Sequence, residues 1–128
     1  MSGRLYTAMK FKFLIILPLF LLLNFCDEDG RIWMSIDPVQ CLGNEWEQDW
    51  LEHTGNNYEV WTDLSEAEQL EIFKVFYEGQ GVIIHELDVT YPYEDVCLAC
   101  SCPRGDRIHI LVDAGNLEQM LDWGFDLD

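Results

Sequence analysis

Apolar residues recur at helical spacing in three stretches, each with its own start and stop signals. In the first, Leu42, Trp46 and Trp50 lie four apart with Leu51 beside them. Asn44 precedes Glu47 by three residues, the spacing of a capping box, and Gly55 offers a left-handed stop. In the second, Ser65 and Glu68 form another capping box. Leu70, Phe73 and Tyr77 line one face, with Ile72 and Phe76 beside it, and Gly79 and Gly81 close the segment. Glu66 and Glu68 sit in its first turn, where the helix dipole favours them. In the third, Asn116 precedes Gln119, and Leu117, Met120 and Leu121 face inward. Gly124 ends it, and Phe125 is placed for the apolar contact of a Schellman motif.

Two stretches alternate with the period of a strand. Gly81–Tyr91 puts Ile83, Leu87, Val89 and Tyr91 on one side with His85. The other side carries Val82, Ile84, Glu86, Asp88 and Thr90. Arg107–Val112 puts Ile108, Ile110 and Val112 on one face, and Arg31–Asp37 allows a leading strand. Adjacent strands joined by a loop pair antiparallel most simply, and a lone hairpin is marginal in water. The expected fold is therefore α+β: a small antiparallel sheet of two to three strands packed against three helices.

Phe13 to Leu23 is a different pattern, eleven apolar residues without interruption behind Lys10 and Lys12. That is the length of the hydrophobic region of a signal peptide, whereas a membrane-spanning helix needs about 17–25 residues. Met9 can serve as the start of such a signal as well as Met1. The segment Leu23-Asn24-Phe25-Cys26 resembles the end of a bacterial lipoprotein signal, with Leu23 and Cys26 at the matching positions. Phe25 stands where that family has a small residue. The acidic run Asp27-Glu28-Asp29 that follows resembles the tether after the lipidated cysteine of surface lipoproteins of the Bacteroidetes type. The resemblance implies export, lipidation of Cys26 and anchoring in the bacterial cell envelope, at the outer membrane or cell surface. It implies an address and no chemistry. The resulting division is a signal peptide at 1–25, an acidic tether at 26–40 and one domain at 41–128.

Charge sharpens the picture. The chain of 128 residues holds 24 acidic and 7 basic side chains, a net charge of −17. All the acids lie beyond Cys26, together with four of the bases. Such a surface repels phosphate backbones and excludes non-specific nucleic-acid binding. It favours a basic protein or a cationic ligand, with salt-sensitive association.

With Cys26 lipidated, Cys41, Cys97, Cys100 and Cys102 remain, an even number in an exported chain, which favours two disulfides. Cys41 joined to the cluster closes a loop of roughly 55–60 residues, which stabilises by about 4 kcal/mol in the chain-entropy model. The other two cysteines make a local bridge. Cys100 with Cys102 is the poorest pair, because residues two apart in an extended chain point their Cβ atoms the same way. Sequence does not choose among the remaining pairings. Four thiolates around a metal are the alternative, and thiol exchange through Cys97 and Cys100 is a third reading. No cofactor motif occurs: P-loop, G-x-G-x-x-G, G-x-S-x-G and H-E-x-x-H are all missing.

Smaller features follow. His85 and His109 lie on the two expected strands and would face each other across a hairpin. Glu86 and Asp88 share what reads as a solvated face. Arg104-Gly105-Asp106 matches the integrin-binding tripeptide but consists of ordinary turn formers. Trp46 and Trp50 read as core, whereas Tyr58 and Trp61, in the loop from Gly55 to Asp63, are the candidates for partner contact. The expected function is that of a non-enzymatic binding domain on an envelope lipoprotein. The alternatives are a metal-binding or thiol-redox protein built on the four cysteines, and an acidic inhibitor or immunity-type protein for a basic enzyme.

Overall fold

The alternation of Arg107–Asp113 builds the centre of the sheet. This strand, β3, buries Ile108, Ile110 and Val112 and leaves the residues between them half-exposed. It pairs antiparallel with β2 (Ile84–Thr90) on one side and with β1 (Arg31–Ile36) on the other. On its far side β1 pairs with β4 (Asp126–Leu127), giving an open antiparallel sheet in the order β2-β3-β1-β4. The structure, a computed structural model, describes residues 30–128, of which Arg31–Asp128 form one unit. The expected signal at 1–25 and the lipidation site Cys26 lie outside the described residues.

The class is α+β as expected; among the described residues there are four strands and four helices rather than two to three strands and three helices. Two of the helices follow the capping signals: α1 (Glu45–His53) and α3 (Glu66–Glu78) begin after Asn44 and Ser65. The third expected helix, α4 (Leu117–Asp122), instead follows a short 3-10 turn at Ala114–Asn116, and the Asn116 side chain does not cap its backbone. At α3 the box is reciprocal: Glu68 N–H donates to Ser65 Oγ (3.3 Å), and Ser65 N–H donates to Glu68 Oε2 (2.8 Å). The fourth helix, α2 (Tyr58–Asp63), is a turn and a half within the expected loop. Asn57 caps it by accepting from Val60 N–H. Gly124, at φ +86°, ends α4 in a Schellman motif. Phe125 N–H donates to Met120 O and Gly124 N–H to Leu121 O, both at 3.0 Å, and Phe125 is buried.

All the major apolar faces meet on one side of the sheet. Phe73 and Tyr77 of α3 stack edge-on at 4.9 Å, with Trp46 of α1 at 4.9 Å from Phe73 and Phe125 at 5.2 Å from Tyr77. Against them lie Met34, Ile84, Ile108, Ile110, Val112 and Met120. Burial pushes the Tyr77 hydroxyl well above its ordinary value.

Two expectations about faces change. The leading strand allowed at Arg31–Asp37 is present as β1, so the expected tether of 26–40 includes part of the folded domain: Met34 is fully buried and β1 lies inside the sheet. In β2 the alternation shifts by one residue at a bulge between Ile84 and Glu86. Ile84 (6% exposed) therefore joins Leu87 and Val89 on the core side, and Ile83 (58% exposed) faces out. The bulge also separates the histidines. His109 stands opposite Asp88, while His85 hydrogen-bonds Asp113 Oδ1 at 2.8 Å. They do not face each other.

Candidate functional site: the cystine clasp

Beyond β1 the chain runs straight into its cysteines. Val39 pairs with Pro103, Gln40 N–H donates to Cys102 O (3.0 Å), and Arg104 N–H donates to Pro38 O (2.7 Å). The Gln40 carboxamide donates to the carbonyls of Cys97 and Pro103. The segment 38–40 thus lies alongside 102–104, and the cysteines close over this contact. Cys41 is bonded to Cys100 and Cys97 to Cys102, with Cα atoms 5.1 and 5.7 Å apart. The long bridge joins residues 59 apart in sequence and the short one residues 5 apart, the division into one long and one local link that spacing favours. With all four thiols bonded, none is available as a metal ligand or an exchanging nucleophile in this state. Among the described residues no group of three or more His, Cys, Asp or Glu is placed to hold a metal ion.

Cys41 and Leu42 both have positive φ, 61° and 54°, at the centre of a turn in which Gly43 N–H donates to Gln40 O (3.3 Å). Side-chain-bearing residues resist this conformation. Here the Cys100 bridge holds the first, and packing of Leu42 against the core holds the second.

Asn44 completes the underside of the clasp. Its carboxamide reaches back to the chain before the turn: Nδ2 donates to Val39 O (3.0 Å), and Oδ1 accepts from Val39 N–H (2.9 Å). The same Nδ2 donates to Glu47 Oε2 at 2.7 Å. Glu47 is fully buried, and its other oxygen accepts from Arg104 Nη1 at 2.7 Å. Arg104 also donates to Asp106 from Nε and Nη2, both at 2.8 Å, in a bidentate fork. Burial alone would lower the Arg104 pKa, but the hydrogen bond to Asp106 and the charges of Asp106 and Glu47 outweigh it and hold it above its ordinary value. The Arg104-Gly105-Asp106 tripeptide is thus folded onto itself and onto Glu47. Its two charged groups neutralise each other instead of reaching outward.

A second fork fastens the other side. Arg107 donates from Nε and Nη2 to the two oxygens of Asp37 at 2.7 and 2.9 Å, and Tyr93 Oη donates to Asp37 Oδ2 at 2.6 Å. Arg107 beside Asp37 holds that carboxyl below its ordinary value of 3.8, and the bond to Asp37 pushes the Tyr93 hydroxyl up. Between the forks, Trp61, Glu66, Gln69, Tyr91, Tyr93 and Arg104 line a cleft of about 570 Å³. The loop Tyr91–Ser101 is exposed throughout, and Leu98 (92% exposed) stands at its tip between the two bridges.

Of the two residues singled out for partner contact, Tyr58 is exposed. Trp61 is buried (3% exposed), because it opens toward the core and packs edge-on against Trp50 at 5.3 Å. Sequence reasoning missed the Glu47–Arg104–Asp106 triad. One signal was available: so few bases among so many acids makes each base a candidate for an internal pair. Spacing does not identify its partner 57 residues away.

Comparison with known families, with curated proteins and with solved structures found no match to this chain. No helix among the described residues is long and apolar enough to cross a membrane.

Proposed function

We propose that this protein is an exported, cell-envelope lipoprotein, anchored through Cys26, whose disulfide-braced domain acts by binding a basic protein partner. One observation supports the reading: three of the four basic residues beyond Cys26 are paired with carboxylates of the same domain. Four basic residues follow Cys26 against 24 acidic ones. Three of the four are held by carboxylates of the same domain: Arg104 by Glu47 and Asp106, Arg107 by Asp37, and Lys74 by Glu78 at 3.9 Å. Apart from the exposed Arg31, what remains for a partner is a surface dominated by carboxylates, which steers and holds cationic partners. The two disulfides add support, since such bridges persist in oxidising compartments.

The test is the intact mass of protein taken from bacterial envelopes without reductant, after thiol alkylation, followed by cross-linking in intact cells. The expected result is the mass of residues 26–128 plus a lipid adduct, with no alkylated thiol. The cross-linked partner should be basic, and its complex should weaken as salt is raised. A full-length mass with alkylated cysteines, or an acidic partner, overturns the proposal.

A further inference from the structure

α1 and α3 pack side by side, and their outer surfaces leave a groove of about 610 Å³. Trp50 from α1 and Ile72, Val75 and Phe76 from α3 form its floor. Val75 is 59% exposed, on the side of α3 away from the Phe73 and Tyr77 that it buries in the core. The walls are acidic on both sides: Asp49 lines the groove from α1 and Glu71 from α3. His53 adds an imidazole at one end, its Nδ1 at 2.7 Å from Asp49 O. The charge of the two helices is one-sided. α1 exposes Glu45, Asp49 and Glu52 and carries no Lys or Arg. α3 carries Glu66, Glu68, Glu71 and Glu78 with Lys74 alone, which is bound to Glu78.

We infer that this groove is the docking site for an amphipathic helix of the partner protein, with an apolar stripe flanked by lysine or arginine. The inference rests on the basic-partner reading above and specifies where and how that partner is held. Length supports it. From Glu71 to Glu78, α3 borders the groove over about 10 Å, the span of two helical turns, and Gly79 and Gln80 continue the lining past the helix end. A docked helix would place anchors at i, i+3 or i+4, and i+7 along such a floor. Charge supports it as well. An apolar stripe alone satisfies the floor but leaves Asp49 and Glu71 beside a desolvated contact, which is costly unless a cation meets them. A second copy of this chain is disfavoured, because it brings the same acidic helices against each other. An anionic lipid surface is disfavoured for the same reason.

The experiment uses the intact oxidised protein and a fluorescein-labelled Leu/Lys peptide of about four helical turns. Its leucines lie on one face. The controls are a Leu/Glu peptide of the same pattern and an all-lysine peptide of the same length. Fluorescence anisotropy should show the Leu/Lys peptide binding at least about tenfold more tightly than either control, one factor of ten being about 1.4 kcal/mol. Val75→Glu, at an exposed position, should weaken that binding at least about tenfold. Tyr58→Ala, outside the groove, should leave it unchanged. Equal binding by the all-lysine peptide, or no effect of Val75→Glu, overturns the groove. Self-association by sedimentation that Val75→Glu abolishes also overturns it, in favour of a second copy. The two readings fail differently. If folded basic proteins bind in a salt-sensitive way while the peptide result is negative, only the groove falls. If no cationic probe binds at all, the basic-partner reading falls with it.

Discussion

Arg104 Nη1 lies 2.7 Å from Oε1 of Glu47, a carboxylate with no solvent exposure of its own. The pair ties the third residue of α1 to the strand side of the clasp across 57 residues of sequence. Removing one partner of such a pair leaves the other charge buried, which costs more than the pair itself contributes. Arg104 keeps about a third of its side chain in solvent, so the cost falls at the low end of the usual range. Arg104→Met strands the fully buried Glu47 carboxylate and should destabilise by about 3 kcal/mol, read as a lower urea midpoint. Combining it with Glu47→Gln, which removes that charge, should recover part of the loss. A single variant as stable as the parent would show that Glu47 does not hold Arg104.

The two disulfides should differ in worth. The loop closed by Cys41 and Cys100 is long, so replacing both with serine should cost about 4 kcal/mol. Replacing Cys97 and Cys102 should cost about 2 kcal/mol, because that loop is short. Guanidinium unfolding of both double variants without reductant measures the difference. Equal losses would contradict the loop-length account.

Acid should loosen the second fork. The folded-state pKa of Asp37 lies below its ordinary value of 3.8, chiefly through its hydrogen bond to Arg107. Between those two values the unfolded chain binds more protons than the folded one. The stabilisation is therefore complete above the ordinary carboxylate range and fades as pH falls through the folded-state value. Asp37→Asn should lower stability at neutral pH and flatten the acid limb of the stability–pH curve. An unchanged acid limb in that variant would sink the assignment.

Ile83 and Ile84 offer a direct check on the bulge. Ile84→Ala should cost about 2–4 kcal/mol, as for a buried aliphatic residue. Ile83→Ala should stay within about 0.5 kcal/mol. The reverse order would restore the uninterrupted alternation and remove the bulge.

Trp61 and Tyr58 separate in the same way. Trp61→Ala should cost about 3–5 kcal/mol, because it empties a buried aromatic site beside Trp50. Tyr58→Ala should be nearly neutral in thermal melts. A large loss at Tyr58 would mean that its ring is not on the surface.

These contrasts mark what local sequence carries. The starts of α1 and α3 were legible because Ser65, Glu68, Asn44 and Glu47 act within one turn. The end of α4 was legible because only Gly124 suits its φ of +86°. The hairpin strands were legible from alternation. The bulge in β2 was not, because nothing in Ile83-Ile84-His85 says where two residues oppose one. α2 and β4 are too short for periodicity to register. The forks were invisible for another reason: Arg104 meets Glu47, and Arg107 meets Asp37, only after the sheet has brought distant segments together. Trp61 reads as exposed because it falls in the expected loop from Gly55 to Asp63, whereas its burial is decided by α2 and by Trp50 from another helix.

The sheet order has a consequence for how the chain is made. β1 is the first strand to emerge during synthesis, yet its two neighbours are β3 and β4, encoded far downstream. At about 5–20 residues per second, β1 waits seconds before either neighbour exists. The sheet cannot lock early, and Cys41 has no mate until Cys100 arrives. A polypeptide ordered in this way can complete neither its sheet nor its long covalent link until nearly all of the domain has been made.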